Sequence, residues 1–348
     1  MDRERIEAFL DTFIGYASGA TTIGLLAVAD RSGLLDWLGE HRSGTVDEIS
    51  AGAGLQSRYV REILSGLTAA GALEYAPDDE VFTLPREHAL FLSDESSPYF
   101  MGGWFDMIPA VFDQIDGVAD ATRNGGGVGF EEFGEGIIRG IARGNTPSQR
   151  VFLVSRWLPA VPGLVEDLER GIRVADVGCG TGTAARLMAE AFPHSTVVGF
   201  DVSKESLAVA RQGEALDNLT FEASAVEEIP TDPSFELVTS FDVIHDLADP
   251  LTGLTRVRES LAEDGRFLMM EPNVSSRLEE NLNDRAALLY GVSTLHCMTQ
   301  SLAAGGEGLG AAWGRHLAED YAHRAGFNTF LPLEDITNKF SAFYLLTV

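Results

Sequence analysis

The sequence predicts a two-part chain, a mostly helical N-terminal domain followed by an open, doubly wound α/β domain built on a parallel sheet. Three observations carry that prediction. Apolar residues recur at helical spacing from the start of the chain, a helix-turn-helix order ending in a short hairpin follows, and from Ile172 onward strand-like runs alternate with helical ones.

Taken in order, Ile6, Phe9, Leu10, Phe13 and Ile14 share one helical face, and a second stripe runs from Ile23 to Leu38, so residues 3–38 read as helices that bury a face. Val46 to Ile49, the glycine-containing turn Ala51 to Gly54, and a helix through Arg58, Val60, Ile63, Leu64 and Leu67 give the helix-turn-helix order. Gly71 ends that helix. Ala72 to Tyr75 and Val81 to Pro85, joined by Pro77-Asp78-Asp79, form a hairpin in the position of a wing. The sum is a winged helix.

Residues 96–165 read as aromatic-rich helices, with Tyr99, Phe100, Trp104, Phe105, Phe112 and Trp157, interrupted by a flexible loop at Asn124 to Gly127. Beyond them, strand-like segments fall at 172–177, 197–201, 219–223, 236–242, 266–271, 329–333 and 340–348, enough for a seven-stranded sheet.

Composition narrows the function. With 53 acidic against 25 basic residues the net charge is −28, spread along the chain, so every surface repels polyanions and nucleic acid is excluded as a partner. The second helix of the winged helix offers only Arg58 and Arg61 to a phosphate backbone. Lys204 and Lys339 are the only lysines, and this acidic, lysine-poor surface is that expected of a high-salt cytoplasm, where screening relieves self-repulsion. Two cysteines, Cys179 and Cys297, make no disulfide framework, and no Cys or His spacing points to a metal. The uninterrupted apolar runs are short, so no membrane span is expected, and the charged start Met1 to Arg5 argues against export.

The richest motif is Asp176-Val177-Gly178-Cys179-Gly180-Thr181-Gly182, a glycine-crowded turn between the first strand of the sheet and a helix. Glycines there let backbone bend sharply and approach a ligand. The spacing G-x-G-x-G differs from the dinucleotide fingerprint G-x-G-x-x-G. With an acid two positions before the first glycine, it resembles motif I of class I S-adenosylmethionine-dependent methyltransferases, which share a Rossmann-like sheet.

That resemblance implies S-adenosylmethionine as the cofactor, with Asp176, Gly178, Gly180 and Gly182 at its amino-acid end. Asp201 ends the second strand roughly 20 residues on, where a carboxylate can accept both ribose hydroxyls, and Val202 adjoins it. Ser224-Ala225 follows the third strand near the adenine, where family members often carry an acid. Phe241 and Asp242 end the fourth strand, Phe241 standing where plant phenol enzymes carry a lysine and so expected to stack on or enclose adenine.

His245, just beyond, resembles the general base of small-molecule O-methyltransferases that join a winged helix to this same sheet. Glu271, at the end of the fifth strand, resembles the glutamate that holds the histidine's ring, and strands about 4.8 Å apart allow the two to meet. Asp246 is expected to point elsewhere, toward the cofactor. Glu307 is a weak candidate for a further acidic partner, and His296 and Cys297 receive no chemical role. Asp249-Pro250 reads as a helix N-cap and first helical position.

The resemblance, closest to UbiE-like winged-helix methyltransferases, implies methyl transfer to a small, aromatic or apolar acceptor and a homodimer. The expected domains are 1–95, the winged-helix dimerisation domain; 96–165, a helical connector lining the substrate cleft; and 166–348, the methyltransferase domain, with a lid insertion at 275–325. The competing reading is a regulator that binds S-adenosylmethionine without turnover, which a basic recognition helix would favour.

Overall fold

A computed structural model describes residues 1–348 as two compact units. The first comprises Met1–Ala110 with Glu135–Ser148, and the second Val111–Gly134 with Gln149–Val348. The stretch expected as one connector, 96–165, is thus divided between them.

In the first unit, helices Arg3–Arg31, Leu34–His41, Val46–Ala53 and Ser57–Ala69 accompany a small antiparallel sheet whose first strand lies between the second and third of them. Its strands are β1 (Ser43–Gly44), β2 (Glu74–Ala76) and β3 (Val81–Thr83), in the order β1-β3-β2. The second helix pair starts where the sequence dictates. Thr45 and Glu48 form a reciprocal capping box, and Gly54 ends the first of the pair in the left-handed region at φ 68°. Leu34, Leu38, Ile49, Leu64, Leu67 and Phe82 fill the core, so the winged helix is present as read. Asp106, almost wholly buried, anchors Arg139 at 2.7 Å and Arg143 at 2.9 Å, while Arg143 also binds Asp30 and Glu95.

The opening helix departs from expectation. It is one continuous helix of 29 residues, long and apolar enough by length and composition to cross a membrane, and mostly unburied. Short apolar runs joined by Gly15, Ala17, Gly19 and Ala20 add up over a helix in a way that the uninterrupted runs do not show. Its C-terminal end packs through Leu26, Ala27 and Ala29, whereas Phe9 and Phe13 remain 63% and 57% exposed.

The second unit holds the large sheet. Its strands are β4 (Arg173–Val177), β5 (Thr196–Asp201), β6 (Leu219–Ala223), β7 (Phe235–Phe241), β8 (Leu261–Pro272), β9 (Thr329–Pro332) and β10 (Ser341–Thr347). The order is β6-β5-β4-β7-β8-β10-β9, with β10 antiparallel to both neighbours and the remaining pairs parallel. Both faces are covered, one by a cluster around Phe200, Phe235, Phe267 and Tyr321 and the other around Trp157, Met188, Phe241 and Phe343. This is why β10 reads as an unbroken apolar run. The chain reverses its strand order between β4 and β7, and the crevice at their carboxyl ends is where such sheets hold ligands.

Two details differ from the sequence reading. The end of the expected lid, helix Gly314–Arg324, belongs to the core through Ala318, Tyr321 and Ala322, so the part inserted between the core elements stops near Trp313. The glycine stretch expected as a flexible loop is pinned at its end. A Cβ on Gly127 would lie 1.8 Å from the Thr299 carbonyl oxygen, and the Val128 amide donates to Thr299 Oγ1 at 2.9 Å.

Candidate active site

The glycine turn closes the end of β4 with three left-handed residues, Gly178, Gly180 and Gly182, at φ 66°, 53° and 78°. Two are glycine for steric reasons as well: a Cβ on Gly178 would strike Val243, and one on Gly182 would strike Phe221 and Ala210. Gly180 is different, because the space beside it is open. Its amide donates to Asp201 Oδ2 at 2.7 Å, tying the loop to the end of β5, while Ser203 N donates to Oδ1 at 2.8 Å. Each carboxylate oxygen has a further lone pair to offer.

Asp176 lies beneath the turn, 2% exposed. Its Oδ1 accepts from Thr239 Oγ1 at 2.7 Å, and its Oδ2 is buried without a hydrogen-bond partner. Burial pushes the carboxyl up to about 7, and the neighbouring Asp201 charge adds to the rise. Asp201 is raised too, again by burial. An orphaned oxygen of this kind calls for a donor. Ser224 N donates to the Asp201 carbonyl at 3.1 Å, which brings the end of β6 alongside, and Val202 stands exposed between them. Ala225 begins the 3-10 turn that follows.

Phe241 is not brought to this loop. Its ring is buried in the core 5.7 Å from Trp157, because the last residue of β7 continues the inward-facing row of Leu237. Asp242, next in sequence, has φ 60°, an uncommon backbone state for a residue with a side chain. Its half-buried carboxyl is pushed up to about 7 by desolvation; the charge of His245 opposes the rise and those of Glu271 and Asp246 add to it. Asp242 therefore faces the second half of the site.

There the fourth and fifth parallel strands meet as expected. His245 Nδ1 lies 2.7 Å from Glu271 Oε2, both side chains buried. Glu271 also accepts from Trp313 Nε1 at 3.0 Å and from the Ile244 amide at 3.0 Å. A carboxylate so held fixes the imidazole tautomer with the proton on Nδ1. Burial alone would lower the histidine's pKa, yet Asp246 and Glu271 raise it well above the usual imidazole value.

Asp246 corrects the sequence reading. Residues 244–246 form a 3-10 turn, not an extended segment, so adjacent side chains converge, and Asp246 Oδ1 lies 3.3 Å from His245 Nε2. Glu307 is spent elsewhere, accepting a short hydrogen bond from the Tyr321 hydroxyl. Cys297 also arrives at His245, carried by a π-helical turn at Ser293–Cys297. His296, beside it, is buried against Phe130 and Phe133, and burial lowers its pKa. No local pattern flags Cys297 or Trp313, which lie far along the chain from the residues they touch. Asp249 caps the next helix, accepting from Thr252 N at 2.9 Å with Pro250 as the first helical residue, as read.

Residues 168–320 match a family described as a methyltransferase domain, and residues 19–94 match the Rv2258c-like winged helix-turn-helix domain. A malonyl-[acyl-carrier protein] O-methyltransferase of Bacillus cytotoxicus is 28% identical over 97 residues, covering 28% of this chain and 34% of that protein. The chain spans about a third of the length of the curated relatives it matches. Among solved structures, the mitomycin 7-O-methyltransferase superposes with a TM-score of 0.72 at 16% identity, covering all of both chains. Human N-acetylserotonin methyltransferase, solved with S-adenosylmethionine, gives 0.69 at 18% identity over 100% of this chain and 98% of that one. The chain thus carries a methyltransferase domain at 168–320 and a winged helix-turn-helix domain at 19–94, and over its whole length it shares the fold of the methyltransferase structures it superposes on.

Proposed function

We propose that the chain transfers a methyl group from S-adenosylmethionine to a small, apolar or aromatic acceptor, with His245 removing the acceptor's proton. The observation that carries this reading is the pairing, at the carboxyl ends of neighbouring strands, of a glycine turn over an orphaned Asp176 oxygen with the buried His245–Glu271 pair. The methyltransferase-named relatives and structural neighbours support it.

The residues fit the cofactor. Asp176 Oδ2 is a buried acceptor for its ammonium, Gly180 leaves open space for its amino-acid end, and Asp201 keeps lone pairs for ribose hydroxyls. Val202, Ser224 and Ala225 would flank the adenine. When bound, S-adenosylmethionine supplies a methyl carbon activated by its sulfonium.

What the chain must add is alignment and one proton transfer. Glu271 holds the Nδ1 proton, so that in the neutral ring the Nε2 lone pair takes the proton of an acceptor hydroxyl or thiol as that atom attacks, and the raised affinity of the ring for a proton favours that transfer. Asp242 and Asp246 stabilise the imidazolium that results.

The same reading places the protein in a high-salt cytoplasm, on the strength of its −28 charge, and pairs it with a second copy through the exposed face of Arg3–Arg31. It leaves DNA out: Arg58 on the second winged-helix helix is already paired with Glu62.

Calorimetric titration with S-adenosylhomocysteine, followed by a screen of phenolic, carboxylic and thiol acceptors with labelled methyl groups, tests the proposal. Micromolar binding lost in Asp201→Ala, with methyl transfer lost in His245→Ala, is the expected result. Folded protein that binds no cofactor at low or molar salt overturns it.

A further inference from the structure

We propose that His296 selects the methyl acceptor, by hydrogen-bonding through Nδ1 to a second, uncharged hydroxyl beside the one that His245 deprotonates. This role rests on the methyl transfer proposed above, and it fixes the acceptor class as a dihydroxylated aromatic.

Only two of the chain's histidines are buried, His245 and His296, each 3% exposed. His245 spends Nδ1 on Glu271. Nearer the surface, the Nδ1 atoms of His41, His88 and His323 lie against backbone carbonyls at 3.1, 3.0 and 3.3 Å. Nδ1 of His296 is enclosed and has no hydrogen-bond partner. A buried polar atom left unmatched costs free energy, and a ligand that supplies the match removes that cost. Packing alone does not account for the residue. Its ring stands edge-on to Phe133, 4.8 Å away at 85°, and 5.9 Å from Phe130. A third phenylalanine or a leucine would fill that corner without an orphaned nitrogen.

His296 adjoins Cys297 on the π-helical turn Ser293–Cys297. Cys297 Sγ, the Asp246 carboxylate and a ring nitrogen of His245 lie within 4.8 Å of one another, and consecutive Cα atoms are about 3.8 Å apart. The charges of both Asp246 and His245 act on His296. The two imidazoles are therefore neighbours that one small aromatic molecule can bridge. Such π turns frequently mark functional sites. This one is also held in place, because the segment leading to Phe130 and Phe133 is pinned to the helix Met298–Ala303 that follows it, through the Val128–Thr299 hydrogen bond and the close approach of Gly127. A ring fixed in this way loses little freedom when a ligand arrives.

Burial holds His296 neutral, the His245 charge acting in the same direction and Asp246 against it. A neutral imidazole has one donor and one acceptor nitrogen, and a hydroxyl both gives and takes a hydrogen bond, so it matches Nδ1 in either tautomer. A carboxylate only accepts, and it would set another negative charge beside Asp246 and Glu271. An aromatic diol is thus favoured over a hydroxybenzoate, with Phe130 and Phe133 adding flat apolar surface. A lone histidine in an apolar helical run ordinarily belongs to the core, and the unmatched nitrogen that separates His296 from that case is a property of the tertiary structure.

The test is to supply the full-length protein with S-adenosylmethionine labelled in its methyl group and with acceptor pairs that differ by one hydroxyl, phenol against catechol and 2-naphthol against 2,3-dihydroxynaphthalene. Calorimetric binding of S-adenosylhomocysteine is recorded for every variant. We expect kcat/KM to be at least about tenfold higher for the diol of each pair. His296→Leu should bring that ratio close to one, chiefly through KM, and His296→Asn, whose amide reaches the place of Nδ1, should restore part of it. Wild-type protein that uses both members of each pair equally overturns the assignment and leaves methyl transfer standing. The same holds if His296→Leu binds S-adenosylhomocysteine normally and lowers both members alike, because the residue then only supports the fold. Protein that binds S-adenosylhomocysteine but methylates none of the four overturns the aromatic acceptor and this inference together.

Discussion

Glu271 accepts the Nδ1 proton of His245 at 2.7 Å, and in doing so turns the other ring nitrogen toward Asp246. The direction in which Nε2 meets an acceptor's proton depends on this contact. Glu271→Gln retains the shape but offers an amide where three donors converge. We expect kcat to fall about 10- to 100-fold, with the dissociation constant of S-adenosylhomocysteine unchanged. His245→Ala should cost about 10²- to 10⁴-fold in kcat. Steady-state kinetics beside calorimetry separates the two quantities, and loss of cofactor affinity in Glu271→Gln would show that the glutamate supports the fold more than the chemistry.

Asp176 gives a pH signature to cofactor binding. Its carboxyl titrates near 7 in the free chain, and the charged form is the one that attracts an ammonium. As pH rises from about 6 to about 8 the ionised fraction grows about tenfold, so affinity should tighten by about the same factor. Asp176→Asn should bind more weakly and show a flat profile over that range. Titrations at several pH values decide it; an unchanged slope in the variant means that another group carries the proton.

How much of this was legible in the sequence depends on the range of the signal. The glycine turn, Asp201 and the His245–Glu271 pair were readable because each sits at a strand end, where spacing along the chain fixes position in the sheet. Asp246 was misread because an extended segment sends neighbours to opposite sides, whereas the observed 3-10 turn brings them together. Phe241 was misplaced by analogy with a lysine position; as an apolar residue in register with Leu237 it falls into the core beside Trp157. Cys297 and Trp313 reach the site only through tertiary packing of the insertion.

In the first unit, Asp106 is the point on which three arginines converge. Burial alone would raise its carboxyl, but hydrogen bonds from Arg139 and Arg143 hold it below the usual carboxylate value. A depressed folded-state value stabilises above the unfolded value of about 4, and that contribution is lost as pH falls through the lower folded value. Asp106→Asn should therefore destabilise the unit at neutral pH, by about 3 kcal/mol as for a broken buried pair. The loss should shrink in acid. Urea unfolding at neutral and acidic pH measures both effects; equal stability of variant and wild type at neutral pH would contradict it.

The charge of −28 makes a separate prediction about salt. At about 0.1 M salt carboxylates repel over about 10 Å, and at 1 M over about 3 Å. The melting temperature should climb between these concentrations of potassium chloride, and sodium chloride should do the same if screening is the cause. A flat or falling curve removes the case for a high-salt habitat.

The opening helix makes the last prediction. Every residue from Met1 to Thr21 is exposed, yet the segment is helical and carries Ile6, Phe9, Leu10, Phe13 and Ile14 along one face. Helices in proteins owe most of their stability to packing of an apolar face, and so large an apolar face is seldom left uncovered. A second copy offering the same face supplies the cover through a self-complementary contact. Phe9→Ser with Phe13→Ser should halve the mass seen by light scattering and leave the melting of the sheet domain unchanged. A wild-type chain that is monomeric in solution and sediments with lipid vesicles in a Phe9- and Phe13-dependent way would instead assign this face to a membrane surface.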